Sequence, residues 1–356
     1  MTDRPRWQEL FPEGPPRRIC IVMLSAIGDA VHVLPVANAL KRAWPESHIT
    51  WVIQPVPHRL VEGHEAIDEY LIFRRRRGMD GWKGFRDLAR QYPDEPYDLL
   101  LGLQVYFKAG LLTAIAPARV KLGFDRRRAR DMNWLFTNER VAFRGQRHVQ
   151  EQYFEFLQHL GIDPFPAVWN IPISEEEREA QSSFFSSLER PACAVVVGTS
   201  KTAKNWTPEG YARVLEALES EHGLQPVLVG GPSPVEREIA DRTLALTGAT
   251  SVIDTLGDDL RRLVWTLDGS ALVISPDTGP LHIARALETP VVGLFGYTNP
   301  KRTGPWQRDQ DLVVDGYATH PGEDYAITPE YRDGMSRVTV EGVLDKVAAA
   351  RTKYGW

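Results

Sequence analysis

The chain has 356 residues, of which 43% are hydrophobic and 25% are charged, a composition typical of a globular protein large enough for two domains. No apolar run approaches the ~18 residues that span a membrane, and the first 17 residues are polar and rich in proline, so we expect neither a membrane span nor a signal peptide. The two cysteines, Cys20 and Cys193, lie in apolar segments, which favours reduced core residues and a cytoplasmic location.

The formal net charge of −5 conceals an asymmetry between the two halves of the chain. Residues 1–165 carry 24 Lys and Arg against 20 Asp and Glu, whereas residues 166–356 carry 18 against 27. Basic side chains concentrate at 74–77 and 126–130. Such clusters are typical of solvated surface, but they also suit an acidic partner such as nucleic acid, an anionic lipid or an acidic sugar. Few aromatic residues interleave with them in the sequence, which disfavours nucleic acid.

The order of the predicted elements favours an α/β fold. Apolar runs at 18–24, 49–53, 70–73, 97–103 and 120–123 predict strands that alternate with helical patterns. Prolines without periodicity between 161 and 172 indicate a linker, and the alternation then resumes. We therefore expect two doubly wound, Rossmann-like domains with mostly parallel sheets, facing each other across a cleft. The predicted segments are a loose leader (1–17), a first domain (18–165), a linker region (166–190), a second domain (191–338) and a C-terminal helix (339–356).

Four polar clusters follow predicted strands, at 25–29, 199–204, 230–233 and 277–282. The carboxyl ends of parallel strands share one edge of a sheet, and ligands of α/β proteins bind there. The four clusters together predict a ligand site.

The stretch 274–296 reads as a strand, an Asp-Thr-Gly-Pro turn, a helix and a second strand. Free N–H groups at a helix start attract anions, so the turn is a candidate cradle for a phosphate or diphosphate, although it also fits an ordinary turn capped by Asp277 or Thr278. His282 is a candidate phosphate or ribose contact, or a core histidine. Gly231 sits in a Gly-Gly-Pro turn that would let a ligand approach the backbone, or is part of a plain turn.

Two charged residues are candidates for chemistry. Asp29 lies at a predicted helix start, where it either caps the helix or takes a proton from a hydroxyl nucleophile. Lys204 precedes another helix, where an ammonium group does not favour the helix dipole; it is either solvated or neutralises a departing phosphate.

The sequence predicts no metal site. Asp309 and Asp311 have an acid-x-acid spacing but lack partner ligands, so we expect a surface turn there. The cysteines are too far apart in sequence to suggest zinc, and the sequence contains no Walker, Gly-x-Gly-x-x-Gly or Gly-x-Ser-x-Gly motif in the required context.

Several of these segments resemble those of glycosyltransferase family 9, the lipopolysaccharide heptosyltransferases. They are Ser-Ala-Ile-Gly-Asp at 25–29 with Leu-Pro at 34–35, Gln104 with Lys108, Gly-Phe-Asp at 123–125, Lys-Asn-Trp at 204–206 with Pro208, Asp-Thr-Gly-Pro-Leu-His at 277–282, and Leu-Phe-Gly-Tyr-Thr-Asn-Pro at 294–300. The resemblance runs from about residue 18 to residue 304.

The resemblance implies a GT-B fold and inverting, metal-independent transfer of a sugar without a cofactor. The implied donor is a nucleotide-diphosphate sugar, often ADP-heptose. The implied acceptor is the acidic, membrane-anchored inner core of lipopolysaccharide, which would place the enzyme peripherally at the inner face of the inner membrane.

The same resemblance suggests roles for individual residues, with Asp29 as the general base and Lys204 facing the donor phosphates. The candidate donor contacts are Thr199, Ser200, Lys204, Gly231, Ser233, Asp277, Thr278, Gly279 and His282. The candidate acceptor contacts are Gly28, Gln104, Lys108, Arg126, Arg128, Arg130 and His148.

Two departures from the family pattern stand out. Ser233 occupies a position where an acidic residue is expected to meet the donor ribose in some members, which leaves the donor nucleotide open. The stretch 313–337 has no clear counterpart. Three alternatives therefore stay open: a different nucleotide-sugar donor, a nucleotide-sugar epimerase, and a non-catalytic protein that binds a sugar nucleotide.

Overall fold

A computed structural model describes residues 5–75, 81–257 and 259–356. The chain forms two compact units, the first made of residues 1–145 and 150–172 and the second of residues 146–149 and 173–356. The division at 172/173 falls inside the stretch predicted as a linker. Arg76 and Arg77 of the first basic cluster lie outside the described residues.

The first unit contains a six-stranded parallel sheet in the order β3-β2-β1-β4-β5-β6. Strand β1 is central, and its Ile19 is in register with Ile49 on one side and Leu99 on the other. The central strands are covered on both faces, which explains their nearly continuous apolar sequences. The strands are β1 (Arg18–Val22), β2 (His48–Ile53), β3 (Glu69–Ile72), β4 (Tyr97–Gly102), β5 (Ala118–Gly123) and β6 (Glu139–Arg140).

The helices of the first unit are α1 (Arg6–Leu10), α2 (Ile27–Ala43), α3 (Pro55–Val61), α4 (Gly81–Ala89), α5 (Phe107–Ile115) and α6 (Val149–Leu160), with a 3₁₀ turn at Asn133–Phe136. Helices α2 to α5 connect these strands, whereas α1 precedes β1 and α6 follows β6. Helix α3 was not predicted, because two prolines in seven residues hide its pattern.

The leader was predicted to be loose, and this is wrong for residues 5–17. Trp7 on α1 packs edge-to-face against Trp44 with ring centroids 6.0 Å apart. Ser47 Oγ donates a hydrogen bond of 2.5 Å to the Pro16 carbonyl oxygen, and the His48 N–H donates to the Arg17 carbonyl. These contacts fix the segment beside the start of β1.

The second unit repeats the architecture, with a parallel sheet in the order β12-β11-β10-β7-β8-β9. Its strands are β7 (Ala192–Val196), β8 (Gln225–Val229), β9 (Ile253–Asp254), β10 (Leu272–Pro276), β11 (Val291–Phe295) and β12 (Val313–Asp315). Its helices are α7 (Glu175–Ser186), α8 (Pro208–Ser220), α9 (Pro234–Leu246), α10 (Leu260–Gly269), α11 (Gly279–Ala286), α12 (Pro300–Thr303) and α13 (Val340–Tyr354). The predicted α/β class, with two doubly wound parallel sheets, is confirmed.

Helix α13 belongs to the core of the second unit. Its Val343, Val347 and Ala350 are fully buried among side chains from β7, β10 and β11. No helix in the described part of the chain is both long and apolar enough to cross a bilayer.

Candidate functional site

The carboxyl edge of the second sheet carries a buried ion pair. Asp277 follows β10 directly, and its side chain is only 7% exposed. Lys204, at the end of a 3₁₀ turn after β7, places Nζ 2.7 Å from Asp277 Oδ2 and 2.8 Å from the Asp277 carbonyl oxygen. Strands β7 and β10 are neighbours in the sheet, so the turns that follow them bring these two residues together.

Two threonines, one from the turn after β11 and one at the end of α12, complete the surroundings of the Asp277 carboxylate. Thr298 Oγ1 donates a hydrogen bond of 2.5 Å to Asp277 Oδ2, and Thr303 Oγ1 donates a longer one of 3.3 Å to the same oxygen. His282, on the first turn of α11, has Nε2 3.6 Å from Asp277 Oδ1. The carboxylate is therefore enclosed by protein donors and acts as an anchor for Lys204.

Opposing effects act on the pKa of Asp277. Burial raises it, whereas the hydrogen bond from His282 and the positive charge of Lys204 lower it. The effects of His282 and Lys204 outweigh that of burial, so the pKa of Asp277 lies well below its usual range. Asp277 is therefore a carboxylate at neutral pH.

Helix α11 starts immediately beside this ion pair. Thr278 is its N-cap residue, in an extended conformation and without a capping side-chain bond, and Gly279 is its first residue. Pro280 occupies the early position where its missing N–H is harmless. The N–H group of Gly279 at the helix start and the Lys204 ammonium are therefore candidate anion-binding groups.

The residues after β7 and β8 mostly shape turns. Thr199 is buried and its hydroxyl bonds to both the N–H and the carbonyl of Lys201, whereas Ser200 is exposed. Ser233 caps α9 by accepting from the Glu236 N–H at 3.2 Å. A Cβ atom at Gly231 would lie 2.7 Å from Glu236 Oε2, so a larger residue there would require the Glu236 side chain to shift.

In the first unit, Asp29 is the third residue of α2 and is half-buried. Its Oδ2 accepts the Ala26 N–H at 2.9 Å, and its Oδ1 accepts a hydrogen bond of 3.3 Å from the Tyr153 hydroxyl on α6. The capping role foreseen for Asp29 is therefore present. It also fixes the orientation of the carboxylate, which a positioned base needs.

Gln104 holds the turn that leads to Asp29. Its Nε2 donates to the Ser25 carbonyl at 2.6 Å, and its Oε1 accepts the Leu24 N–H at 3.3 Å. A second link joins α2 to α6, where His32 Nδ1 lies 2.8 Å from Gln150 Oε1. Gly28 is half-buried at the start of α2, within this braced turn.

The basic acceptor candidates divide by exposure. Lys108, Arg126 and Arg130 are exposed. Arg128 is instead buried, with Nε 2.5 Å from Asp125 Oδ2 and Nη1 2.6 Å from Glu155 Oε2. Its guanidinium group is buried and paired with these two carboxylates, which disfavours the predicted contact with an acceptor.

His148 belongs to the short segment that groups with the second unit. Its Nε2 lies 2.9 Å from the Gly304 carbonyl oxygen, near the α12 end of the Asp277 cluster. Burial lowers the pKa of His148 to about 4, so the ring is neutral at pH 7. A buried, neutral histidine does not suit direct recognition of an acidic acceptor.

Residues 316–337, within the stretch 313–337 that was expected to lack a family counterpart, form a strap over the turn after β11. The family model matches the chain as far as residue 325, so that expectation does not hold for residues 313–325. The Arg332 N–H donates to the Tyr297 carbonyl, and Thr298 pairs with Tyr331 through an antiparallel bridge. Asn299 Nδ2 donates to the Ala326 carbonyl at 2.8 Å. The strap thus holds the turn that supplies Thr298 to Asp277. No sequence pattern predicted that these residues hold the turn, although Thr298 itself belongs to the motif at 294–300.

The described residues contain no group of three or more His, Cys, Asp or Glu side chains that could hold a metal ion. Asp309 is buried rather than placed in a surface turn, and its Oδ2 accepts the Val291 N–H at 3.2 Å. The surface-turn prediction is therefore wrong for Asp309.

Comparison with known proteins gives the family. The model of "Glycosyltransferase family 9 (heptosyltransferase)" matches residues 85–325. The chain belongs to glycosyltransferase family 9. Family membership makes it a glycosyltransferase, which decides against the epimerase and the non-catalytic alternative.

Curated relatives support the same family. The chain is 30% identical over 316 residues to the lipopolysaccharide core heptosyltransferase OpsX of Haemophilus influenzae, covering 89% of each protein. It is 27% identical to the lipopolysaccharide heptosyltransferase 1 of Escherichia coli, over 93% of this chain and 99% of the relative.

Solved structures support the fold. A family 9 glycosyltransferase from Veillonella parvula matches with a TM-score of 0.79 at 23% identity, covering 95% of this chain and 97% of that one. The E. coli heptosyltransferase WaaC with ADP matches with a TM-score of 0.74 at 23% identity, covering 94% and 99%. The expected GT-B fold, with two Rossmann-like units, is confirmed.

Proposed function

We propose that this glycosyltransferase moves a heptose from ADP-heptose to the inner core of lipopolysaccharide, with inversion at the anomeric carbon. The observation that carries the proposal is the Lys204–Asp277 ion pair beside the first turn of α11, which suits the diphosphate of a sugar nucleotide. The choice of heptose and of the acceptor rests on the similarity to the lipopolysaccharide heptosyltransferases named above. The choice of adenine rests on the ADP bound to the structural relative WaaC.

In this proposal Lys204 and the α11 start bind the donor diphosphate. The Lys204 ammonium donates two hydrogen bonds to Asp277, which fix the lysine side chain. Its third N–H is then available to the ligand. The negative charge on the diphosphate grows as its bond to the sugar breaks. A hydrogen-bond donor that is already in place stabilises that charge without reorganisation. Thr278 and Gly279 contribute backbone N–H groups at the same edge.

The acceptor hydroxyl is activated by Asp29 in the first unit. The hydroxyl oxygen attacks the anomeric carbon from the face opposite the diphosphate, the bond from that carbon to the diphosphate oxygen breaks, and the hydroxyl proton passes to Asp29. The products are the extended glycan and ADP. Asp29 suits this role because its carboxylate is oriented by Ala26 and Tyr153.

Charge neutralisation by Lys204 and backbone N–H groups gives the leaving group a partner that requires no divalent cation. We therefore propose that transfer is metal-independent, and that EDTA at millimolar concentration leaves the rate unchanged. A rate that collapses in EDTA and returns with Mg²⁺ or Mn²⁺ would contradict this part of the proposal.

The donor is tested with ADP-, GDP- and UDP-linked sugars and a lipopolysaccharide acceptor that lacks heptose. We expect release of ADP from ADP-heptose, and only when the acceptor is present. Release from a GDP or UDP sugar alone would reassign the donor. The stereochemistry is tested by NMR of the product, since a retained anomeric configuration is incompatible with a single displacement.

A further inference from the structure

An unusual amount of apolar surface is exposed in one part of the first unit. Among the described residues, eleven large hydrophobic side chains are exposed, and six of them lie between positions 106 and 143. Met132 is 59% exposed and Leu135 is 54% exposed. Single exposed hydrophobic residues are normal on a protein surface, but a cluster of them marks an interaction site.

The chain brings the central members of this cluster into one surface. Phe107, at the start of α5, packs against Phe136 with ring centroids 5.5 Å apart. Asn133 Nδ2 donates to the Tyr106 carbonyl at 2.8 Å. The 3₁₀ turn at Asn133–Phe136 therefore rests on the beginning of α5. We call this surface, made of Tyr106, Phe107, Met132 and Leu135, the apolar patch.

Arginines of the loop after β5 lie against aromatic rings, one of which belongs to the apolar patch. The guanidinium carbon of Arg126 is 4.4 Å from the ring centroid of Trp134, and that of Arg130 is 5.9 Å from the ring centroid of Tyr106. Arg127 lies 5.0 Å from the ring centroid of Phe143. The sequence showed few aromatic residues interleaved with these arginines, and folding supplies the missing aromatic partners.

The local charge is strongly positive although the whole chain is acidic. Ten Lys and Arg but only three Asp and Glu lie between residues 104 and 147. One of the three acids, Asp125, is bound to buried Arg128. The exposed Arg126, Arg127 and Arg130 therefore suit an anionic partner.

We propose that the apolar patch and its arginines dock on a lipid bilayer that carries anionic headgroups. Aromatic and aliphatic side chains enter the interface between headgroups and acyl chains, while nearby arginines are attracted to the anionic surface. A second copy of this chain would bring two positive patches together, and nucleic acid offers no apolar phase for Met132 and Leu135. A bilayer offers apolar acyl chains to the patch and anionic headgroups to the arginines.

The position of the apolar patch links docking to sugar transfer, and this step rests on the proposed function. Helix α5 follows β4, and the loop that carries Arg126, Arg127 and Arg130 follows β5. Asp29 lies after β1, and β1, β4 and β5 are adjacent parallel strands. All three connections thus leave the same edge of one sheet. A lipid-anchored acceptor would find its sugars close to Asp29 when the patch rests on the headgroups.

The test is flotation of the full-length protein with vesicles of phosphatidylcholine alone or with 30 mol% phosphatidylglycerol. We expect binding to the anionic vesicles that weakens at 0.5 M NaCl, because salt screens the arginines. The double variant Met132→Ser/Leu135→Ser and the single variant Arg127→Glu should each weaken vesicle binding about tenfold. Matched controls in the second unit, Leu246→Ser and Arg213→Glu, should bind like the unmodified protein.

Equal vesicle binding by patch variants and controls, or no binding to anionic vesicles, overturns the proposal. A lipid-free acceptor oligosaccharide separates this failure from failure of the proposed function. The patch variants should transfer to the soluble acceptor at the unmodified rate, since Met132, Leu135 and Arg127 are outside the catalytic machinery. Loss of folding is excluded by an unchanged urea unfolding midpoint. If vesicles bind normally but no sugar is transferred, the docking surface stands and the proposed activity fails.

Discussion

Lys204 Nζ lies 2.7 Å from the carboxylate and 2.8 Å from the carbonyl oxygen of Asp277. Both contacts come from one residue, so the lysine side chain is held at the start of α11 before any ligand arrives. Asp277 itself is enclosed by Lys204, Thr298, Thr303 and His282. In the proposed function, the aspartate of the Asp-Thr-Gly motif positions Lys204, and the lysine contacts the donor.

This pairing predicts non-additive effects on stability. Asp277→Asn and Lys204→Met should each lower the free energy of unfolding, by about 3 kcal/mol for the lysine variant, which leaves a buried carboxylate without its cation. The double variant should lose less than the sum, with a coupling of about 1–3 kcal/mol measured by urea unfolding. Additive losses would show that the ion pair does not act as a unit. Lys204→Met should also lower kcat about 10²-fold, whereas Lys346→Met should not.

Asp29 and Tyr153 predict a graded loss of turnover. Asp29→Asn removes the base and should lower kcat by about 10²- to 10⁴-fold while ADP binding stays unchanged. Tyr153→Phe removes one orienting hydrogen bond worth about 1 kcal/mol, so kcat should fall only about fivefold. The readouts are ADP release with acceptor and calorimetric titration with ADP. Near-normal turnover of Asp29→Asn would refute its assignment as base, and exposed Asp94→Asn serves as the matched control.

The two threonines on Asp277 predict unequal effects. Thr298 donates at 2.5 Å and Thr303 at 3.3 Å, so Thr298→Val should cost more stability than Thr303→Val, about 2 against about 0.5 kcal/mol. Because Asp277 orients Lys204, Thr298→Val should also raise the KM for the donor more than it lowers kcat. Urea unfolding and donor saturation curves measure both effects. Equal effects of the two variants would contradict the ranking of the two hydrogen bonds by length.

His148 predicts a pH dependence of stability. The pKa of the buried ring is about 4, against about 6.5 for an exposed histidine. Between these values the unfolded chain binds a proton that the folded chain does not, so the free energy of unfolding falls as pH drops from 6.5 to 4, by about 3 kcal/mol. Asp277 acts separately, since its lowered pKa preserves its contribution until the pH falls below about 4.

His148→Gln should flatten this part of the curve, because glutamine can still donate to the Gly304 carbonyl but does not titrate. Burial also lowers the pKa of His64 and His222, so only the difference between variant and unmodified protein isolates His148. His320→Gln, at an exposed position, should leave the curve unchanged. A difference curve that stays flat from pH 6.5 to 4 would contradict the prediction.

The sequence alone predicted most of the framework. Apolar runs such as those of β1 and β7 follow from burial on both faces of a parallel sheet, and that pattern is local. Helix starts at Thr207 and Ser233 are likewise written in adjacent residues, through capping side chains and early prolines. Helix α3 was missed because its prolines break the pattern on which such a prediction depends.

The sequence also pointed to Asp29, Lys204 and Asp277, since each follows a strand at the edge where ligands bind. Their partners could not be read from the chain, because Lys204 lies 73 residues from Asp277 and Tyr153 lies 124 residues from Asp29. Only the order of the strands brings these pairs together.

Arg126 and Arg128 show most clearly what cannot be predicted from the sequence, because two arginines of one cluster look alike there. Tertiary structure buries Arg128 against Asp125 and Glu155 and leaves Arg126 on the surface beside Trp134. Burial depends on which distant element packs over a side chain, and a charge is stable there only when oppositely charged groups meet it. Composition determined that this loop is basic; packing decided which of its charges remain available to a partner.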